Sequence, residues 1–220
     1  MVDKPGRRKK KRVPWGKIVA VAIAALVIVA VGYFVYDTYI YSLPPVYAEL
    51  GTSEGNVYLE LYPACAPATV ANFENLTNSG FYNDLVWHRI VSGFIIQTGD
   101  PNTRGANIAT EATWGQGGSG TNIPFENSGL PEDQGYVAMA NTAAQGNGAS
   151  SQFFINLVNN TSSLGSGYAV FAKVVQGMSV VQAIGALPVA SSCSSTNGLT
   201  CPPTDPGQAL LISVTIQSTP

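Results

Sequence analysis

The chain is 220 residues long, carries 11 lysines and arginines against 13 aspartates and glutamates, and contains 23 glycines and 14 prolines. That length suits one well-buried domain with attachments, and glycine and proline scattered between short apolar runs exclude a helical bundle in favour of a turn-rich β protein. Eight of the 11 basic residues lie within the first 17 positions, leaving Arg89, Arg104 and Lys173 against 12 acids in the remainder; a body so acidic excludes nucleic acid as its partner.

Residues 1–17 form a basic tail abutting an uncharged run, Ile18 to Tyr36, rich in Val, Ala and Ile. Roughly twenty apolar residues span a hydrocarbon core of about 30 Å, and a basic flank holds its own side in the cytoplasm. The expectation is a single-pass transmembrane signal-anchor at the cell membrane, with the rest of the chain extracytoplasmic. Cleavage of a secretory signal, releasing a secreted domain, is the competing expectation. The length of the run and its bulky end, Tyr33-Phe34-Val35-Tyr36, weigh against it. Residues 37–45 read as a linker stiffened by Pro44-Pro45, and 46–220 as the folded domain.

The domain opens with two β-favouring runs, Val46–Leu50 and Val57–Tyr62, around a glycine-containing hairpin loop. From Pro67, the spacing of Val70, Phe73 and Leu76 puts three apolar residues on one helical face, with Gly80 as the stop. Further strands are predicted at Leu85–Ile90, Phe94–Thr98, Tyr136–Ala140, Gln152–Asn156, Ala169–Val175 and Leu210–Ile216, and a second short helix at Met178–Ile184. Between Gly99 and Pro124 no hydrophobic period is visible, which predicts a functional surface loop. Its glycines, 115–120, neither follow a strand nor precede a helix and lysine, so they do not read as a phosphate cradle. Cys193 and Cys201 bracket a polar loop and are the expected disulfide pair outside the cell; Cys65 is either a free thiol or an alternative partner. No His/Cys grouping suits a metal.

The segment Trp87-His88-Arg89-Ile90-Val91-Ser92-Gly93-Phe94-Ile95-Ile96-Gln97-Thr98-Gly99-Asp100 closely resembles the signature of the cyclophilins, a family of peptidyl-prolyl cis-trans isomerases. Met139-Ala140-Asn141-Thr142, Ser150 to Asn156 and Val170 to Met178 follow in the family's order, so the resemblance runs from about Tyr47 to Ile216. It implies a mainly β fold, a closed eight-stranded antiparallel barrel capped by two helices, with a substrate groove outside. It implies catalytic roles for Arg89, Phe94, Gln97 and Phe154, and substrate binding by His88, Ile95, Ala140, Asn141, Gln152, Leu164 and Tyr168. The implied partners are proline-containing polypeptide clients, met by a monomer that needs no cofactor and no metal. Ser92, Thr98 and Ser163 depart from common family residues, proline, glycine and tryptophan respectively. The last change implies weak binding of cyclosporin-type cyclic peptides.

The physical task is rotation about an X-Pro bond, opposed by amide resonance with a barrier of about 18–20 kcal/mol. In the twisted state the proline nitrogen regains its lone pair, so a fixed donor aimed at it binds the transition state better than either ground state. Arg89 is the candidate, since its guanidinium stays charged and rigid. His88, the single histidine, is expected on the groove wall or supporting it, because isomerisation transfers no proton. Two other readings remain at this point: a non-catalytic module that holds proline segments, and a barrel that carries an apolar ligand in an empty interior.

Overall fold

A computed structural model describes residues 15–40, 44–141, 148–190, 193 and 201–220. The expected basic tail lies outside the described residues up to position 14, as do 41–43 of the linker, Thr142 of the third motif segment and the polar loop 194–200. The chain divides into two units, Met1–Pro44 and Pro45–Pro220.

The first unit contains helix α1, Trp15–Ile40. Its stretch Ile18–Val35 has a mean hydropathy of 2.9 and none of it is buried. No polar stripe breaks that surface, unlike the two-sided pattern of a surface helix in a globular domain. At 1.5 Å per residue the 18 residues run about 27 Å, long and apolar enough to cross a membrane.

The second unit is built on one curled antiparallel sheet. Strands β1 (Val46–Thr52) and β2 (Gly55–Leu61) form the hairpin, turned through Ser53-Glu54 with the Thr52 hydroxyl donating to the Gly55 carbonyl at 2.6 Å. Their alternation sends Ala48, Leu50, Val57, Leu59 and Leu61 inward. Helix α2 (Pro67–Asn78) buries Val70 and Phe73 as their spacing predicts. Its first turn lacks a capping side chain of its own. Glu126, 57 residues downstream, supplies one, accepting from the Ala68 and Thr69 amides at 3.0 and 2.7 Å. Those bonds hold the Glu126 carboxyl below its ordinary pKa even though burial pushes the other way.

Strands β3 (Leu85–Val86), β4 (Arg89–Val91), β5 (Ile95–Thr98), β6 (Tyr136–Asn141), β7 (Ala149–Asn156), β8 (Ala169–Gln176) and β9 (Leu210–Gln217) complete the sheet in the order β3-β9-β1-β2-β8-β6-β7-β5-β4. This corrects the expected closed eight-stranded barrel. The run predicted as one strand over Leu85–Ile90 is two, interrupted at Trp87-His88, and the pieces stand at opposite ends of the order. No ladder joins them among the described residues; two residues of chain do. The C-terminal segment runs along this seam, with the Trp87 amide donating to Ala209 and the Ile90 amide to Cys201. Helix α4 (Met178–Gly185) matches the second predicted helix, but a four-residue helix α3 (Thr161–Leu164) joins the expected two. The irregular loop contains 3-10 turns at Pro101–Ala106 and Ile108–Thr113 and is pinned by the buried Trp114.

Inside the curl, Phe73, Tyr82, Trp87, Phe153 and Phe171 pack mostly tilted or edge to face, with ring centroids 5.2–6.4 Å apart. Offset and edge contacts of this kind add to the gain from burial. The interior is filled, which removes the apolar-ligand reading. Close packing also dictates Gly99: its φ is +94°, and a Cβ there would stand 2.4 Å from the Ser151 carbonyl oxygen.

Candidate active site

The pleat of the sheet divides its residues between the interior and a second apolar cluster on the other face. Successive side chains of a strand point to opposite sides, so Phe153 joins the main core while Phe154 joins the outer cluster. The same step separates Ile96 from Ile95, Met139 from Ala138, and Phe171 from Val170. Ile95, Ala138, Phe154 and Val170 are buried at the base of the outer cluster, and Phe94, Leu130, Tyr136, Ala140, Leu164 and Tyr168 are partly exposed around it. Every apolar or aromatic residue that the resemblance assigned to the groove is here: Phe94, Ile95, Ala140, Phe154, Leu164 and Tyr168. The Tyr168 ring stands edge-on to Phe154 at 5.2 Å. Phe94 belongs to the turn before β5 rather than to the strand; Gly93, at φ +68°, permits that turn, and the Phe94 amide donates to Val91 at 2.9 Å.

A polar row crosses the neighbouring strands beside this cluster. Register places Arg89 opposite Gln97, and Gln97 opposite Phe154. The half-buried Arg89 guanidinium donates through Nη1 to Gln97 Oε1 at 3.3 Å, and Gln97 Nε2 donates to Gln152 Oε1 at 2.8 Å. Gln152 Nε2 then donates to the carbonyls of Gly115 and Gly117 at 3.1 and 2.7 Å. The long loop thereby anchors the row, and Asp100 fixes the loop by accepting from the Gly117 amide at 3.1 Å. Partial burial lowers the Arg89 pKa, an effect that Tyr168 opposes. Arginine still remains a cation from so high a starting value. The arrangement is a fixed positive donor held beside an apolar patch.

Asn141 stands at the end of β6 and donates to the Gly167 carbonyl at 3.0 Å, next to Tyr168. His88 is wholly buried, which corrects its expected place on the groove wall: the ring presents no surface to a bound chain. Burial pushes its pKa down to about 4, with Asp100 pulling the other way. Among the described residues neither ring nitrogen makes a hydrogen bond of ordinary geometry; Asp100, the Val86 backbone and the Gln152 side chain are its polar neighbours. At neutral pH the ring is uncharged.

Sequence reasoning missed a buried polar chain beneath the pocket. Glu132 Oε2 accepts from Asn156 Nδ2 at 2.7 Å, Asn156 Oδ1 accepts from Asn160 Nδ2 at 2.8 Å, and Asn160 Nδ2 also donates to the Phe94 carbonyl at 2.9 Å. Asn160 further accepts from the Ser163 and Leu164 amides, so one asparagine fixes both Phe94 and the turn that carries Leu164. Burial raises the Glu132 pKa to about 7 against the Asn156 bond. The available signal was Asn156, a polar residue closing an apolar strand.

Among the described residues no group of His, Cys, Asp and Glu suits a metal ion. Residues 47–201 match the family described as cyclophilin type peptidyl-prolyl cis-trans isomerase/CLD. A peptidyl-prolyl cis-trans isomerase of Acinetobacter baylyi is 37% identical over 150 residues, which cover 65% of this chain and 73% of that protein. Peptidyl-prolyl cis-trans isomerase B of Escherichia coli is 38% identical over 141 residues, covering 60% and 80% respectively. A cyclophilin type peptidyl-prolyl cis-trans isomerase of Cryptosporidium parvum, crystallised in the presence of the dipeptide Ala-Pro, is similar with a TM-score of 0.64 at 26% identity, over 79% of this chain and 99% of that one. The family match takes in the polar row and the outer cluster together, and the chain belongs to the cyclophilin-type peptidyl-prolyl cis-trans isomerases.

Proposed function

We propose that this isomerase acts at the outer face of a membrane on secreted or membrane proteins as they fold, and that Arg89 supplies the donor to the twisted proline nitrogen. The observation that carries the mechanism is the Arg89–Gln97–Gln152 row beside the outer cluster. Two glutamines and a loop restrain a guanidinium that would otherwise be flexible, so little reorganisation is needed when the nitrogen lone pair develops. Phe94, Ile95, Phe154 and Leu164 receive the proline ring. Ala140, Asn141, Gln152 and Tyr168 border the bound chain, and His88 supports the row from below. Rotation needs no proton transfer and no cofactor. The reading of the N-terminal unit rests on the apolar length of α1 and on the basic residues before it.

The test is NMR exchange on a short Ala-Pro peptide with the full chain in detergent. Arg89→Ala is expected to lower kcat/KM about 100-fold or more, as loss of a transition-state donor does, with the circular dichroism spectrum unchanged. A folded Arg89→Ala variant as active as the wild type would remove Arg89 from the mechanism, and an inactive, folded wild type would move the reading to a module that only binds proline segments. Protease protection of the domain in sealed membranes, with α1 retained at full mass, tests the anchor; a shortened, released domain would favour signal cleavage.

A further inference from the structure

Strand β4, which carries Arg89, is three residues long and ends the sheet order, so among the described residues β5 is its one ladder neighbour. Its other side faces the C-terminal segment. Cys201 forms a parallel bridge with Arg89, and its carbonyl accepts from the Ile90 amide at 3.0 Å. Cys201 is fully buried and bonded to Cys193, with Cα atoms 5.0 Å apart. The base of this strap is held by backbone bonds, Ala190 to Pro202 at 3.0 Å and Thr204 to Pro188 at 2.8 Å, and by the pairing of Val189 with Pro203. Pro202 and Pro203 have no amide hydrogen to give. Directly after Cys201, the strap therefore lacks two of the donors by which a strand is ordinarily fastened, and the covalent bond to Cys193 takes their place.

We propose that Cys201, held by its bond to Cys193, is a positioning residue for Arg89: the disulfide keeps the Cys201 backbone against β4 and so keeps the guanidinium aligned with Gln97 and the pocket. The inference rests on the reading of Arg89 as the transition-state donor. A dithiol reductant would transfer two electrons and two protons to the bond, leaving thiols at Cys193 and Cys201 and becoming a disulfide itself. Because Arg89 acts on the twisted state and the outer cluster binds the ring, loosening β4 lowers kcat and leaves KM nearly unchanged. Misplacement by about 1 Å can cost up to about 100-fold in rate. The expected loss is smaller, about tenfold, because β5 still pairs with β4.

The experiment uses the full chain in detergent with Cys65→Ala throughout, so that one thiol pair remains. kcat and KM for the Ala-Pro peptide are measured before and after dithiothreitol, with thiols counted, for this background and for the same background carrying Cys193→Ser, Arg89→Lys or Arg89→Ala. Support is a fall in kcat at constant KM on reduction, reproduced by Cys193→Ser without reductant, and absent when Arg89→Lys is reduced. Should Cys193→Ser fail to fold, reversible reduction and reoxidation of the parent protein carries the same comparison. Unchanged kcat on reduction overturns the inference and leaves the Arg89 mechanism standing, provided Arg89→Ala is inactive. An equal fall in Arg89→Lys also overturns it, because the bond then acts on the whole domain. Full activity of Arg89→Ala overturns the mechanism and the inference together.

Discussion

Phe153 and Phe154 are neighbours on one strand, nearly equally buried and identical in chemistry, yet they belong to different parts of the molecule. Phe153 touches four other aromatic rings in the interior, whereas Phe154 lies under Tyr168 on the outer face, opposite Gln97 in register. The inner face is held mainly by packing, with the buried Tyr82 hydroxyl donating to the Ser151 carbonyl at 3.1 Å. The outer face is a shallower apolar patch bordered by a restrained cation. Burial therefore does not distinguish a core residue from a site residue here; the parity of its position along the strand does.

The strongest way to sharpen that comparison is to truncate each ring. Phe153→Ala should cost about 3–5 kcal/mol of stability, the usual consequence of deleting a core aromatic, read by urea unfolding. Phe154→Ala should cost less stability, because solvent and neighbouring rings can fill the outer face, and should raise KM for a proline peptide. Equal stability losses with KM unmoved in Phe154→Ala would break the division of faces. A second effect concerns the polar chain under the pocket. Glu132 has its folded pKa raised to about 7, so the fold favours its protonated form. Stability from this group is present below the unfolded value near 4.5 and declines as pH rises towards 7. Glu132→Gln, always neutral, should escape the decline, with a stability difference opening by on the order of 2–3 kcal/mol between pH 4.5 and 7.5. His88 runs in the opposite sense: lowered to about 4, it disfavours its charged form, so stability falls as pH drops from about 6.5 towards 4. His88→Gln should flatten that acid limb in urea titrations. The smallest expected effect lies away from both faces, at Glu126→Gln. Weakening this long-range cap on α2 should cost about 1 kcal/mol, seen as a lower midpoint with the isomerase kcat untouched.

Much of this was legible in advance because the sheet has period two and the helices have period 3.6. Seven of the eight predicted strands correspond to single strands of the sheet, shifted by a residue or a few at their ends, and α2 begins at the predicted Pro67. The outer cluster was legible through the family motif, not through burial or spacing. The division of the eighth strand at Trp87-His88 was not legible. Both residues are fully buried, and nothing local marks where a sheet's two ends meet. Glu126 capping α2 and Glu132 reaching Asn156 were illegible for a related reason. Each is a contact between segments whose sequences carry no trace of one another, and a lone glutamate reads as a solvated surface residue until its partner is known.

The seam at Trp87-His88 and the placement of β9 between β3 and β1 also govern when the domain can exist at all. Strand β9 is the last strand of the sheet, and it reaches back to segments some 157–168 residues earlier, as the Leu210–Ser53 and Gln217–Glu49 bonds record. Such distant closure is slow to reach. A chain emerging from the ribosome has β1 and β3 open along one edge until β9 arrives. Until that strand is in place this isomerase is itself an unfinished fold in need of protection, before it can serve any client of its own.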